Sequence, residues 1–163
     1  MSEHAMLHAF RRTHICRYLS EDETGKLLAF GGTRRVDAGE TLFKTGDAGD
    51  SLFVILQGRM HVFRTLDGGV NKTLVVLGYG SIIGEVSVID QQERSASIAA
   101  LDDSALFELS RSQLIKLMRS DAGIGAKVLW ACMETLSVRL RDANVTVQTL
   151  LSEKLKDIPK IEM

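Results

Sequence analysis

Two side chains of opposite charge stand nine residues apart in GEVSVIDQQERSASI, inside an otherwise apolar neighbourhood: Glu85, led by Gly84, and Arg94, followed by Ser95 and Ala96. An arginine fork matches two phosphate oxygens at once, and a serine hydroxyl adds a third donor. Residues from Glu85 to Ile89 can form one helical turn whose free amides point back at the preceding loop, which suits an anion. A carboxylate only accepts hydrogen bonds, so beside a phosphate Glu85 must take a donor such as a sugar hydroxyl. A ligand with one phosphate charge and a neighbouring ribose hydroxyl satisfies both groups, and a cyclic nucleotide is such a ligand. The competing explanation is that Glu85 and Arg94 merely pair with each other. A buried ion pair is often no better for stability than apolar residues.

The elements that must hold these residues follow from local signals. Ser20 and Glu23 have the spacing of a capping box, and the apolar run Leu27 to Phe30 then predicts a short helix. From Thr33 to Leu109 the chain reads RRV, TLF, SLFVIL, RMHVFRT, TLVVL, SIAAL and ALFEL, short β-type runs separated by glycine turns. Many short strands at such spacing predict a barrel or jelly roll. Ser110 and Gln113 form a second capping box, opening a helix toward Ser120, and the chain is then helical with no proline before Pro159. Ala126, Leu129, Met133, Leu136, Leu140, Ala143, Val147 and Leu150 fall alternately three and four apart, a heptad seam. Its first two turns are expected to pack on the barrel, and Leu140 to Leu150 on the same helix of a second copy.

The order and spacing of these motifs, with AGETLF, GDAGDSLFVILQG and a GYG turn ahead of GE and RSA, resemble the cyclic nucleotide-binding domain from about Tyr18 to Asn144. The resemblance implies an α+β fold. Its core is a β-roll (a double-stranded β-helix or jelly-roll barrel) with flanking N-terminal helices, a short phosphate-binding helix and a long C-terminal helix. Expected segments are an N-terminal helical extension (1–19), the nucleotide-binding roll (20–120), a dimerisation and lid helix (121–157) and a tail (158–163). The resemblance further implies that Glu85 binds ribose and Arg94 phosphate. Ser95 and Ala96 follow the arginine, and backbone amides at Gly84, Val86 and Ser87 complete the phosphate cradle. Glu93 stands where the family usually has proline, and Ser87 where alanine is commoner. Ala143 and Asn144 fall nearest the base; an Asn amide both donates and accepts, so it suits adenine or guanine, and cyclic AMP is expected over cyclic GMP. Cyclic di-GMP is not expected, because a second phosphate would call for another basic group.

Other classes fit less well. The 20 basic and 21 acidic residues nearly cancel, and no basic run exceeds the pairs Arg11/Arg12 and Arg34/Arg35, so nucleic acid is not an expected partner. The catabolite activators of the family continue into a helix-turn-helix domain, whereas roughly twenty residues follow Asn144 here, so direct regulation of DNA is not expected. No apolar stretch approaches the roughly 20 residues of a membrane helix and the N-terminus has no signal-peptide character, so a cytoplasmic location is expected. Cys16 and Cys132 lack CxxC spacing and read as buried hydrophobes; His4 and His8 read as exposed, and His61 stands alone in the strands, so no metal site and no enzyme is expected. Two functions remain: a sensor that binds a cyclic nucleotide and signals to a partner protein through the C-terminal helix, and a ligand-independent scaffold whose working surface is the Met133 to Leu150 seam.

Overall fold

A computed structural model describes residues 3–156; the predicted tail at 158–163, and residue 157 of the predicted long helix, lie outside the described residues. The chain opens with α1 (Glu3–Arg11), a 3-10 helix (His14–Cys16) and α2 (Glu21–Phe30). Eight strands follow, β1 (Gly32–Val36), β2 (Thr41–Phe43), β3 (Ser51–Gln57), β4 (Met60–Thr65), β5 (Asn71–Leu77), β6 (Ile82–Ile83), β7 (Ser97–Ala100) and β8 (Ser104–Ser110). Helix α3 (Glu85–Asp90) interrupts them, and α4 (Arg111–Ser120) and α5 (Ala122–Lys156) close the chain. The strands form two antiparallel four-stranded sheets, β1-β8-β3-β6 and β2-β7-β4-β5, which face each other as a roll rather than closing into one barrel.

Burial explains why the central strands read as unbroken apolar runs. In β3, Phe53 and Ile55 point between the sheets, where they meet Val36, Met60, Ile83, Ile98 and Leu106. Leu52, Val54 and Leu56 point the other way, into a second core with Phe10, Leu27, Phe107, Leu117 and Val128. A strand buried on both faces needs no polar alternation, and each such side chain contributes about 1.5–3 kcal/mol through burial. Strand β5, at the sheet edge, is exposed along almost its whole length.

Both capping boxes form. Ser20 N donates to Glu23 Oε2 at 2.7 Å and Glu23 N to Ser20 Oγ at 3.2 Å, while Ser110 N donates to Gln113 Oε1 at 2.8 Å and Gln113 N to Ser110 Oγ at 3.2 Å. Glu23 has a second task, because Lys127 Nζ on α5 donates to both of its oxygens at 2.7 and 2.8 Å. Two turns further along α5, Glu134 Oε1 accepts from Tyr18 Oη at 2.5 Å, and this bond holds the carboxyl below its ordinary range. The start of α5 is thereby fixed to the N-terminal helices.

The heptad seam lies only in part where its first two turns were expected: Leu129 packs against the core. The face of α5 that enters the core carries Ile124, Val128, Ala131 and Cys132, whereas Ala126 and Met133 of the seam are exposed. The helix carries two apolar stripes with the same period, and the one buried in the core is Ile124, Val128, Ala131 and Cys132, with Leu129 of the seam at its edge. Cys16 and Cys132 are free and buried, and burial pushes their thiols up to about 11 and about 12. His4 and His8 are exposed. No helix among the described residues is long and apolar enough to cross a membrane.

Candidate functional site

The cradle begins where β6 ends. Gly84 adopts φ 78°, in the left-handed region, and caps α3, whose first amides have no partner within the helix. A side chain here is excluded twice over: the backbone conformation disfavours it, and a Cβ would press on the Ser51 carbonyl and the Arg94 guanidinium. Left-handed backbone costs a non-glycine residue about 1–2 kcal/mol before any clash. A Gly84→Ala protein should therefore lose at least about 2 kcal/mol, seen as a lower urea midpoint at unchanged slope. A midpoint equal to that of the wild type would mean that the turn relaxes without cost.

Arg94 is 4% exposed and held from every side. Its Nη1 donates to Gly84 O at 3.2 Å and its Nη2 to Ser51 O at 2.8 Å. The guanidinium carbon lies 4.1 Å from the Phe43 ring centroid and 5.9 Å from that of Phe53, so aromatic faces replace part of the lost hydration. The β2–β3 loop pins the backbone: Arg94 N donates to Asp47 O at 2.8 Å and Gly46 N to Arg94 O at 2.9 Å. Glu93, in the place of the family's proline, joins an antiparallel bridge with Ala48. Burial pulls the Arg94 guanidinium below its ordinary value, and Asp50, Asp47, Glu108 and Glu85 act against that shift.

Glu85 is 1% exposed. It makes no ion pair with Arg94. Its Oε1 accepts instead from Nη1 of Arg139 on α5, while Arg139 Nη2 donates to Ile82 O at 2.5 Å. The bland pairing of the two cradle charges is thereby excluded, and a third charge enters the site. Arg139 sits in the stretch VRLRDAN, one helical turn before Ala143, yet no local pattern says which side of a long helix meets the roll.

A cavity of about 1240 Å³ opens between the roll, the first half of α5 and the N-terminal segment. Gly84, Glu85, Val86, Ser87, Arg94, Ser95 and Ala96 all line it. Ala143 and Asn144 are exposed on α5 and are not among its lining residues; Val138, Arg139, Arg141 and Asp142 are the nearest part of that helix that is. Arg12, His14 and Arg17 of the N-terminal segment also line it. Three buried side-chain atoms among the described residues have no hydrogen-bond partner, Glu85 Oε2, Arg94 Nε and Glu134 Oε2, and all three belong to residues of the cavity wall. Unpaired buried polar atoms are costly, and their concentration on one wall marks a place built to meet polar groups from outside. An acceptor on Glu85 and a donor on Arg94 suit a hydroxyl and a phosphate, the two features of a cyclic nucleotide. No group of three or more possible metal ligands occurs among the described residues.

Residues 33–121 match the cyclic nucleotide-binding domain family. The chain is 32% identical to the cyclic AMP receptor protein of Thermus thermophilus over 139 residues, which is 85% of this chain and 62% of that protein. The crystal structure of the Thermus thermophilus catabolite activator protein superposes with a TM-score of 0.76 at 32% identity, covering 85% of this chain and 63% of that one. A cyclic nucleotide-binding domain from Methylobacillus flagellatus KT superposes with a TM-score of 0.78 at 26% identity, covering 98% of this chain and 86% of that one. The chain therefore spans less than two thirds of the length of the receptor protein it matches. The matched span is more than half of the sequence and contains both charges of the cradle, and the chain belongs to the cyclic nucleotide-binding domain family.

Proposed function

We propose that the protein is a cytoplasmic sensor that binds a cyclic nucleotide in the roll, acts as a homodimer through α5, and signals by that helix to a partner protein. The observation that carries this reading is the pair of unpaired buried atoms, Glu85 Oε2 and Arg94 Nε, on one cavity wall. Phosphate takes the first amides of α3 and the Arg94 guanidinium, and the ribose hydroxyl donates to Glu85. Glu85 is also the residue that holds Arg139. A ligand on Glu85 therefore changes the bond that ties α5 to the roll, and any partner that distinguishes the two placements of α5 must alter nucleotide affinity in return. Binding, not catalysis, is the activity proposed. Cyclic AMP is the favoured ligand, supported by the resemblance to a cyclic AMP receptor protein.

Thermal unfolding with cyclic AMP and cyclic GMP separates this reading from a ligand-independent scaffold. A ligand at a hundredfold over its dissociation constant should stabilise the fold by about 2.7 kcal/mol. Flat melting curves with both nucleotides would leave the scaffold, with the exposed α5 seam as its working surface. A larger response to cyclic GMP at equal excess would reverse the choice of base.

A further inference from the structure

Arg111, the first residue of α4, is bonded to both walls of the cradle, although it is not among the residues that line the cavity. Its backbone N donates to Asp50 O at 2.7 Å. Asp50 precedes Ser51, whose carbonyl accepts from Arg94 Nη2 at 2.8 Å. Burial lowers the Arg94 guanidinium, and Asp50 is the foremost charge acting against that shift. The Arg111 side chain turns to the other wall, where its Nη1 donates to Val88 O and, at 3.2 Å, to Ile89 O, near the end of α3. A helix of six residues leaves its last carbonyls without partners inside it, and the chain turns away at Gln91, at φ 60°, whose amide returns to Ser87 O at 2.9 Å. A guanidinium at that end answers both the open carbonyls and the negative end of the helix dipole. Helix α3 also lies so close to the β2–β3 loop that a Cβ on Gly49 would fall 2.1 Å from Ser87 Cβ. Glu85 opens α3 and the loop holds Arg94, so the separation of the two groups is set by how α3 lies on that loop.

From these bonds we propose that Arg111 is a positioning residue of the nucleotide site. By clamping the far end of α3 to the loop, it fixes Glu85 at the spacing from Arg94 that one phosphate–ribose unit requires. This role rests on the proposed binding of a cyclic nucleotide. In such a ligand the ring holds the phosphate and the ribose hydroxyl rigidly, so a cradle whose two groups drift satisfies one at a time. Loss of the clamp is therefore felt most by a ligand that engages both groups.

Calorimetry on the full chain with cyclic AMP, cyclic GMP and their 2′-deoxy forms tests the clamp. The wild type should bind its preferred nucleotide about tenfold or more tightly than the 2′-deoxy form, which has no hydroxyl for Glu85. Arg111→Met keeps the apolar stem and removes the side-chain donors, while the backbone bond to Asp50 O stays. It should bind the preferred nucleotide at least about tenfold more weakly, and its preference over the 2′-deoxy form should shrink to about twofold. Arg111→Lys, which can still donate to the α3 carbonyls, should recover most of both. Should the methionine variant not fold, Arg111→Gln, with a shorter reach, carries the same comparison. Equal affinity in a folded variant overturns the role, as does a loss shared equally by both forms of the nucleotide, which marks a general loosening of the fold. A wild type that binds but ignores the 2′-hydroxyl overturns the assignment of Glu85 and the clamp together. A wild type that binds neither nucleotide overturns the proposed site itself.

Discussion

Arg94→Ala should weaken cyclic nucleotide binding by a hundredfold to several thousandfold. Removing one member of a buried, hydrogen-bonded charge interaction costs about 3–5 kcal/mol, and each 1.4 kcal/mol is about tenfold in affinity. At this position the ligand loses a guanidinium already held in place, since both terminal nitrogens donate to Gly84 O and Ser51 O, the Phe43 ring centroid lies 4.1 Å from its carbon, and Nε is left unpaired. The same substitution unpairs two carbonyls, so the variant should also melt earlier, and calorimetry has to be run on protein shown to be folded by circular dichroism. Arg94→Lys keeps the charge and loses the planar fork, and should fall between wild type and alanine. Equal affinity in a folded Arg94→Ala protein would remove this residue from the site.

Leu140→Glu should convert a dimer to a monomer. Leu140 is 63% exposed, and Val147 and Leu150, also exposed, continue its stripe along the helix. Covering a leucine contributes about 1.5–3 kcal/mol, and a two-fold interface counts the substitution once for each copy, so the dissociation constant should rise about a hundredfold or more. Light scattering at micromolar concentration reads the result as a halved mass. A wild-type mass equal to one chain, or a variant mass equal to two, would end the dimer proposal.

Much of the fold is legible in the sequence because its signals are local. Each capping box spans four residues, and the strands up to β6 are bounded by turn glycines such as Gly46 or Gly58, both of which adopt positive φ. The cradle is legible for the same reason: Gly84, Glu85 and Arg94 fall within one short stretch, and the turn that joins them is written in their spacing. The rest depends on how elements dock. Arg139 reaches Glu85 across 54 positions, Glu134 meets Tyr18 across 116, and nothing near either residue signals the meeting. The two apolar stripes of α5 make the point sharply. Periodicity finds a stripe, but choosing which one faces the core requires knowing what Ile124 and Val128 pack against.

Beyond Arg139, α5 runs 17 more residues to Lys156, with every side chain from Leu140 to Lys154 exposed. At about 1.5 Å per residue that is a rod of roughly 25 Å fixed at one end. A tilt of about 10° at its root carries the tip by roughly 4 Å, a mechanical gain that needs no further moving part. Chemistry at Glu85 is over within a bond length. In the proposed sensor its consequence would be delivered a helix away, on a surface that beyond Asp142 is separate from the pocket.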